Sequence, residues 1–102
     1  GIAQEVSLEQ GNTYTLGQIE VTGLKTFSPQ TVVAYTGLRT GQQLQIPGEE
    51  ISAVISKLWK LELFSDINFY LTKIEGNTAD IEIFIQELPT LSSRWKFLVA
   101  LL

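Results

Sequence analysis

Leu58-Trp59-Lys60-Leu61-Glu62-Leu63-Phe64-Ser65-Asp66-Ile67 is the stretch on which the fold turns. Its first half closes an amphipathic helix and its second half opens an alternating strand. Backward from Trp59, the residues Ile51, Val54, Ile55 and Leu58 recur at helical spacing and give a wide apolar face. Glu49 and Glu50 fall in the first turn and Lys57 and Lys60 near the end, each where the helix dipole favours its charge. The pattern predicts a helix starting near Pro47. Forward, Ile67, Phe69 and Leu71 alternate with Asn68, Tyr70 and Thr72, predicting a strand over 67–74. Glu75-Gly76-Asn77-Thr78 reads as a hairpin turn, with Gly76 and Asn77 tolerant of positive φ. A second strand over 79–88 sets Ile81, Ile83 and Ile85 against Asp80, Glu82, Phe84 and Gln86, and Pro89 ends it.

Upstream, Ile19 and Val21 alternate with Gln18, Glu20 and Thr22, while Tyr14 and Leu16 have the opposite parity. A strand over 14–22 with a bulge or bend at Gly17 accommodates both, and Gly23 closes it. Ser28 is a good N-cap, Pro29 suits the first helical position, and Gly37 suits a left-handed helix end. The short helix between them, with Val32, Val33 and Tyr35 as its apolar stripe, needs packing to hold it. Residues 38–47 read as a connecting loop, and 1–13 as a polar leader. Residues 90–102 read as a tail: an artificial or truncated end, the start of a next module, or a segment that pairs with a sheet edge or a neighbouring copy. It ends Arg94-Trp95-Lys96-Phe97-Leu98-Val99-Ala100-Leu101-Leu102, the most apolar stretch of the chain.

The order is β-α-α-β-β over a single domain, 14–89. Helices and a sheet that must each bury one face solve this by stacking. The fold expected is α+β, with both helices on one face of a three-stranded sheet. Ile19, Val21, Ile81, Ile83 and Ile85 should meet the stripe of the second helix there, and the other sheet face should be solvated. Trp59 and Tyr35 are expected in the core or on its rim.

The composition narrows the function more than it names it. Of 102 residues, 44% are apolar and 18% charged, as in ordinary folded domains. The net charge is -4, and Lys25, Arg39, Lys57, Lys60 and Lys73 are scattered rather than clustered, so nucleic acid is not expected as a partner. The chain has no cysteine and no histidine, which removes disulfides, thiolate chemistry and the commonest general base and metal ligand. Glu49 and Glu50 are adjacent on a helix and do not face each other, so they are dipole partners rather than an acid/base pair. No serine has a histidine to activate it. Residues 37–41 follow a helix instead of opening one, unlike a phosphate loop. Asp66 beside Ser65 is expected to organise a turn. No enzyme activity, cofactor or metal is expected.

Several pieces, in order and spacing, resemble a POTRA domain of the BamA-type outer-membrane β-barrel assembly proteins. They are Ile19-Glu20-Val21-Thr22-Gly23, Ser28-Pro29, Thr36-Gly37-Leu38, Gly41, Ile46-Pro47-Gly48, the 58–67 junction and Gln86-Glu87-Leu88-Pro89. The resemblance covers 14–89 and looks like a first such module. One departure is Glu62, where the family commonly has glycine. Because a non-glycine residue in the left-handed region costs roughly 1 kcal/mol, a different turn is expected there. The resemblance implies a module at the periplasmic face of the outer membrane, reaching the membrane only through a parent barrel. It implies that the strand over 66–73 is an exposed edge. Partners implied are unfolded outer-membrane proteins, assembly lipoproteins or periplasmic chaperones, and neighbouring POTRA modules. An edge binds extended chains through main-chain groups, which is β-augmentation. Asn68, Tyr70, Thr72 and Lys73 are the expected contact residues, against the alternative of a solvated face with no role. Two other readings stay open: a spacer between neighbouring modules without client contact, and a POTRA domain of a cell-division or two-partner-secretion protein.

Overall fold

The parity switch at Gly17 is built as a bulge. In this computed structural model, which describes residues 11–89, β1 (Asn12–Thr22) runs parallel to β4 (Thr78–Glu87). Leu16 lies beside Ala79 but Ile19 beside Ile81, so one extra residue is absorbed and Leu16 and Val21 both face the core. The Asp80 carboxylate accepts the Gln18 N–H at 2.8 Å, inside the bulge. A Cβ at position 17 would overlap that carboxylate oxygen. The apolar tail over 90–102 and the first ten residues of the expected leader lie outside the described residues.

α1 (Pro29–Thr36) forms as its punctuation predicts. Ser28 Oγ accepts the Thr31 N–H at 3.1 Å, and Gly37, at φ +78°, donates to the Ala34 carbonyl at 3.2 Å. The region expected as a loop over 38–47 contains a further strand, β2 (Gln43–Ile46), antiparallel to the start of β1. The three-stranded sheet is therefore corrected to a four-stranded mixed sheet in the order β2-β1-β4-β3. Gln43-Leu44-Gln45-Ile46 does alternate, with Leu44 and Ile46 buried. Four residues between Gly41 and Pro47 are too few to stand out as a strand from pattern alone. Pairing with β2 also draws Asn12 and Thr13 out of the expected leader and into β1.

α2 (Glu49–Trp59) begins just past Pro47, with extended Gly48 as its cap and Glu49 and Glu50 in its first turn as expected. Ile51, Val54 and Leu58 are buried and Ile55 is half-buried. Trp59 is not in the core: it stands 42% exposed. It lies about 100° around the helix from Leu58, which takes the core position. Tyr35 is likewise exposed. Its ring receives Lys57 Nζ at 4.4 Å, and the same ammonium donates to the Tyr35 carbonyl at 2.7 Å, tying the two helices together.

The different turn expected at Glu62 is also corrected, since Glu62 adopts φ +57°. The N–H groups of Leu61 and Glu62 close the helix end on Leu58 and Trp59 at 3.2 and 3.0 Å, which fixes the chain in that conformation. Glu62→Gly is expected to stabilise the fold by about 1 kcal/mol, less whatever freedom glycine adds to the unfolded chain. A rise in the urea midpoint checks this.

β3 (Phe64–Glu75) starts before the expected 67–74, so Ser65 and Asp66 belong to a strand rather than to a turn. It returns antiparallel to β4 through Gly76, at φ +58°. Asn77 keeps negative φ, the pattern of hairpin turns with glycine at the first central position. The core lies on the helix-covered face, where Leu16, Leu44, Leu58, Ile81, Ile83 and Ile85 are all fully buried.

Candidate functional site

The last strand in the sheet order is β3, which pairs with β4 and, among the described residues, with nothing on its other side. Two register shifts interrupt it. One lies between Phe64 and Asp66 and leaves Ser65 as the extra residue. The other lies between Leu71 and Lys73 and leaves Thr72. The regular ladder is thus 66–71, paired with 81–86 of β4. Within it Ile67, Phe69 and Leu71 share the face of Ile85, Ile83 and Ile81, while Asp66, Asn68 and Tyr70 share the open face with Gln86, Phe84 and Glu82.

The four expected contact residues fall in three situations. Asn68 and Tyr70 lie together on the open face. Asn68 is half-buried and donates its amide to the Asp66 carboxylate at 2.9 Å, whereas Tyr70 is 49% exposed. Thr72 is the bulge residue and is outside the ladder. Lys73 follows the bulge, lies opposite Asp80 and pairs with Glu75 at 3.0 Å, with both side chains in solvent. That pair is worth little to stability. Neither Leu71 nor Ile74 is among the expected contact residues. Both are exposed on the helix-side face, next to the hairpin. The signal available was apolar character continuing past the reach of the second helix.

The open sheet face is acidic. Glu20 lies beside Glu82, and the Thr22 hydroxyl donates to the Glu82 carboxylate at 2.6 Å. Asp66 and Asp80 share this face, with the half-buried Phe84 between strands.

At the end of β4, Glu87 Oε2 accepts the backbone N–H groups of Lys25, Thr26 and Phe27 at 2.7, 2.8 and 3.3 Å. This fastens the β1–α1 connection over the sheet, where Phe27 meets Phe64 edge-on with ring centroids 6.1 Å apart. Desolvation pushes the Glu87 carboxyl up, but the hydrogen bonds from Lys25, Thr26 and Phe27 outweigh it and hold the group below its ordinary 4.5. A depressed carboxylate stabilises the fold fully above its unfolded pKa, and the benefit is lost as pH falls through the folded value. Glu87→Gln is therefore expected to lower the urea midpoint at neutral pH. The gap to the parent should narrow at pH values below about 4.5, the range in which the parent carboxylate takes up its proton.

No family model and no curated protein matches the chain. Among solved structures it is similar to one described as POTRA1-3 of the periplasmic domain of Omp85 from Anabaena, with a TM-score of 0.64 at 11% identity. The match covers 79% of this chain and 37% of that one, so the chain spans little more than a third of the structure it resembles. The fold is POTRA-like, with two helices over a four-stranded mixed sheet.

Proposed function

We propose that this chain is a binding module of a BamA-type outer-membrane assembly protein, held at the periplasmic face of that membrane, and not an enzyme. It binds extended segments by β-augmentation at the outer edge of β3. Its clients are unfolded outer-membrane proteins, and its further partners are assembly lipoproteins or periplasmic chaperones and neighbouring POTRA modules. The observation that carries this reading is the side of β3 left unpaired among the described residues, with a regular ladder over 66–71 beside a POTRA-like core. Main-chain hydrogen bonds are indifferent to side chains, which suits a site that meets many sequences. Six residues of edge bury little area, so contact is expected to be weak and transient.

A second reading is favoured by the bulges at Ser65 and Thr72. Bulges blunt an edge against further pairing, and a module whose edge is blunted would serve as a spacer setting the distance between its neighbours. A titration of the isotope-labelled chain with peptides from outer-membrane β-strands separates the two. Backbone amide shifts concentrated on 66–71 support client binding. No shift at about 1 mM peptide, an affinity near -4 kcal/mol, leaves the spacer.

A further inference from the structure

A second stretch of open edge lies on β1, on the far side of the sheet. β2 pairs with residues 12–15 of β1 and then ends. The connection before β2 covers the next two residues. Leu16 donates to the Gln42 carbonyl and accepts from Gly41, both at 2.8 Å, and the Thr40 hydroxyl donates to the Gly17 carbonyl at 2.7 Å. Beyond that point, over 19–22, β4 flanks one side of β1 and no described residue pairs with the other. A strand turns its main-chain groups alternately to its two sides, so half of those in 19–22 face outward.

This edge differs from β3 in having a wall. α1 stands alongside it, and the space between is a groove lined mostly by apolar side chains: Val21, Pro29, Val33, Ala34 and Leu38, with Arg39 at the end beyond Gly37. Glu20 borders it from the opposite sheet face. The Arg39 backbone N–H is held by Gln42 at 3.0 Å, but its guanidinium is exposed and makes no ion pair or hydrogen bond with a described residue. An unpaired cation in a chain of net charge -4, at the end of an apolar trough beside an open strand, defines a ligand.

We propose that this groove binds a short extended segment of another polypeptide, added as a strand to residues 19–22, with an apolar side chain against Val33 and a carboxylate on Arg39. The open backbone fixes the extended conformation, α1 supplies the apolar wall, and the guanidinium selects the acidic residue. The site is separate from β3, on the opposite edge of the sheet, and differs from it in the apolar wall of α1 and in Arg39.

The test uses the full labelled chain and three synthetic peptides. The first alternates valine with threonine and ends in glutamate. The second replaces that glutamate with an amidated lysine. The third is the first with N-methylated valines. Amide shifts over 19–22 and 33–39 are expected with the first peptide. Its affinity should exceed that of the lysine peptide about fivefold, a ratio that Arg39→Gln abolishes. N-methylation should remove binding, and Ala34→Trp, which fills the groove from an exposed helix position, should do the same while the rest of the amide spectrum persists. Shifts confined to 66–71, no shifts at all, or equal affinity of the glutamate and lysine peptides overturn the proposal. The first of these outcomes leaves the β3 site standing, so the two readings fail independently.

Discussion

Gly23→Ala is expected to destabilise the domain by about 3 kcal/mol or more, from two causes that add. Gly23 sits at φ +87°, where an L side chain costs about 1–2 kcal/mol. Its new Cβ would also overlap the Ile85 carbonyl oxygen and crowd the Phe84 ring at 3.1 Å. That carbonyl belongs to the backbone of β4, held at Ile85 by its pairing with Ile67 of β3 and directly after the end of the ladder with β1. Gly37→Ala isolates the first cause. Its φ is +78°, nearly the same, but nothing lies within 4 Å of the added Cβ. It should cost only the conformational strain, about 1 kcal/mol. Urea unfolding of the two variants checks the difference. Equal losses would mean that the β1–α1 connection shifts to relieve the overlap, despite the Glu87 carboxylate that fastens it.

Ile83→Ala should be of similar size, about 3–4 kcal/mol, the range for deleting a large buried aliphatic side chain that neighbours cannot replace. Ile83 is 0% exposed, on the strand flanked by Val21 of β1 and Phe69 of β3. A small domain has a total stability of about 5–15 kcal/mol, so this single change removes a large share. Leu71→Ala is the companion. Leu71 shares the sheet face of Ile83 but is 38% exposed, so truncation should cost about 1 kcal/mol. The urea midpoint should fall much further for Ile83→Ala, with an unchanged slope in both.

The contrast between these residues also explains what was legible in the sequence. Period-2 and period-3.6 patterns reported the helix-covered face well, because burial is what selects Ile81, Ile83, Ile85, Val54 and Leu58 for apolar side chains. Local punctuation was equally readable: Ser28, Pro29 and Gly37 each act on backbone groups a few residues away, and the Gly17 bulge betrayed itself by a parity change. What stayed hidden depends on distant partners. β2 exists because Asn12 and Thr13 pair with it, and four residues carry too little pattern to announce that. Trp59 has core chemistry but a position one residue past the core stripe. Glu62 takes positive φ where the helix end closes on Leu58 and Trp59, a conformation that its residue type does not announce. For the candidate edge, the sequence gives the strand and its outer position through resemblance. Neither bulge is legible in the sequence, because each depends on the register with β4.

The sheet order carries a consequence for timing. Among the described residues, β4 is the last element in sequence yet interior in space, and it is the strand that joins β1 to β3. Its link to β1 closes over 62 residues, as the contact between Gln18 and Asp80 shows. Without β4, the described strands upstream of it can form only the short ladder between β1 and β2, and a two-stranded pairing of that size is marginal in water. α1 and α2 meanwhile have no completed surface to cover. The sheet is therefore expected to complete only once β4 is available to join β1 and β3. A sheet closed by contacts this distant in sequence is expected to fold more slowly than one built from local pairings.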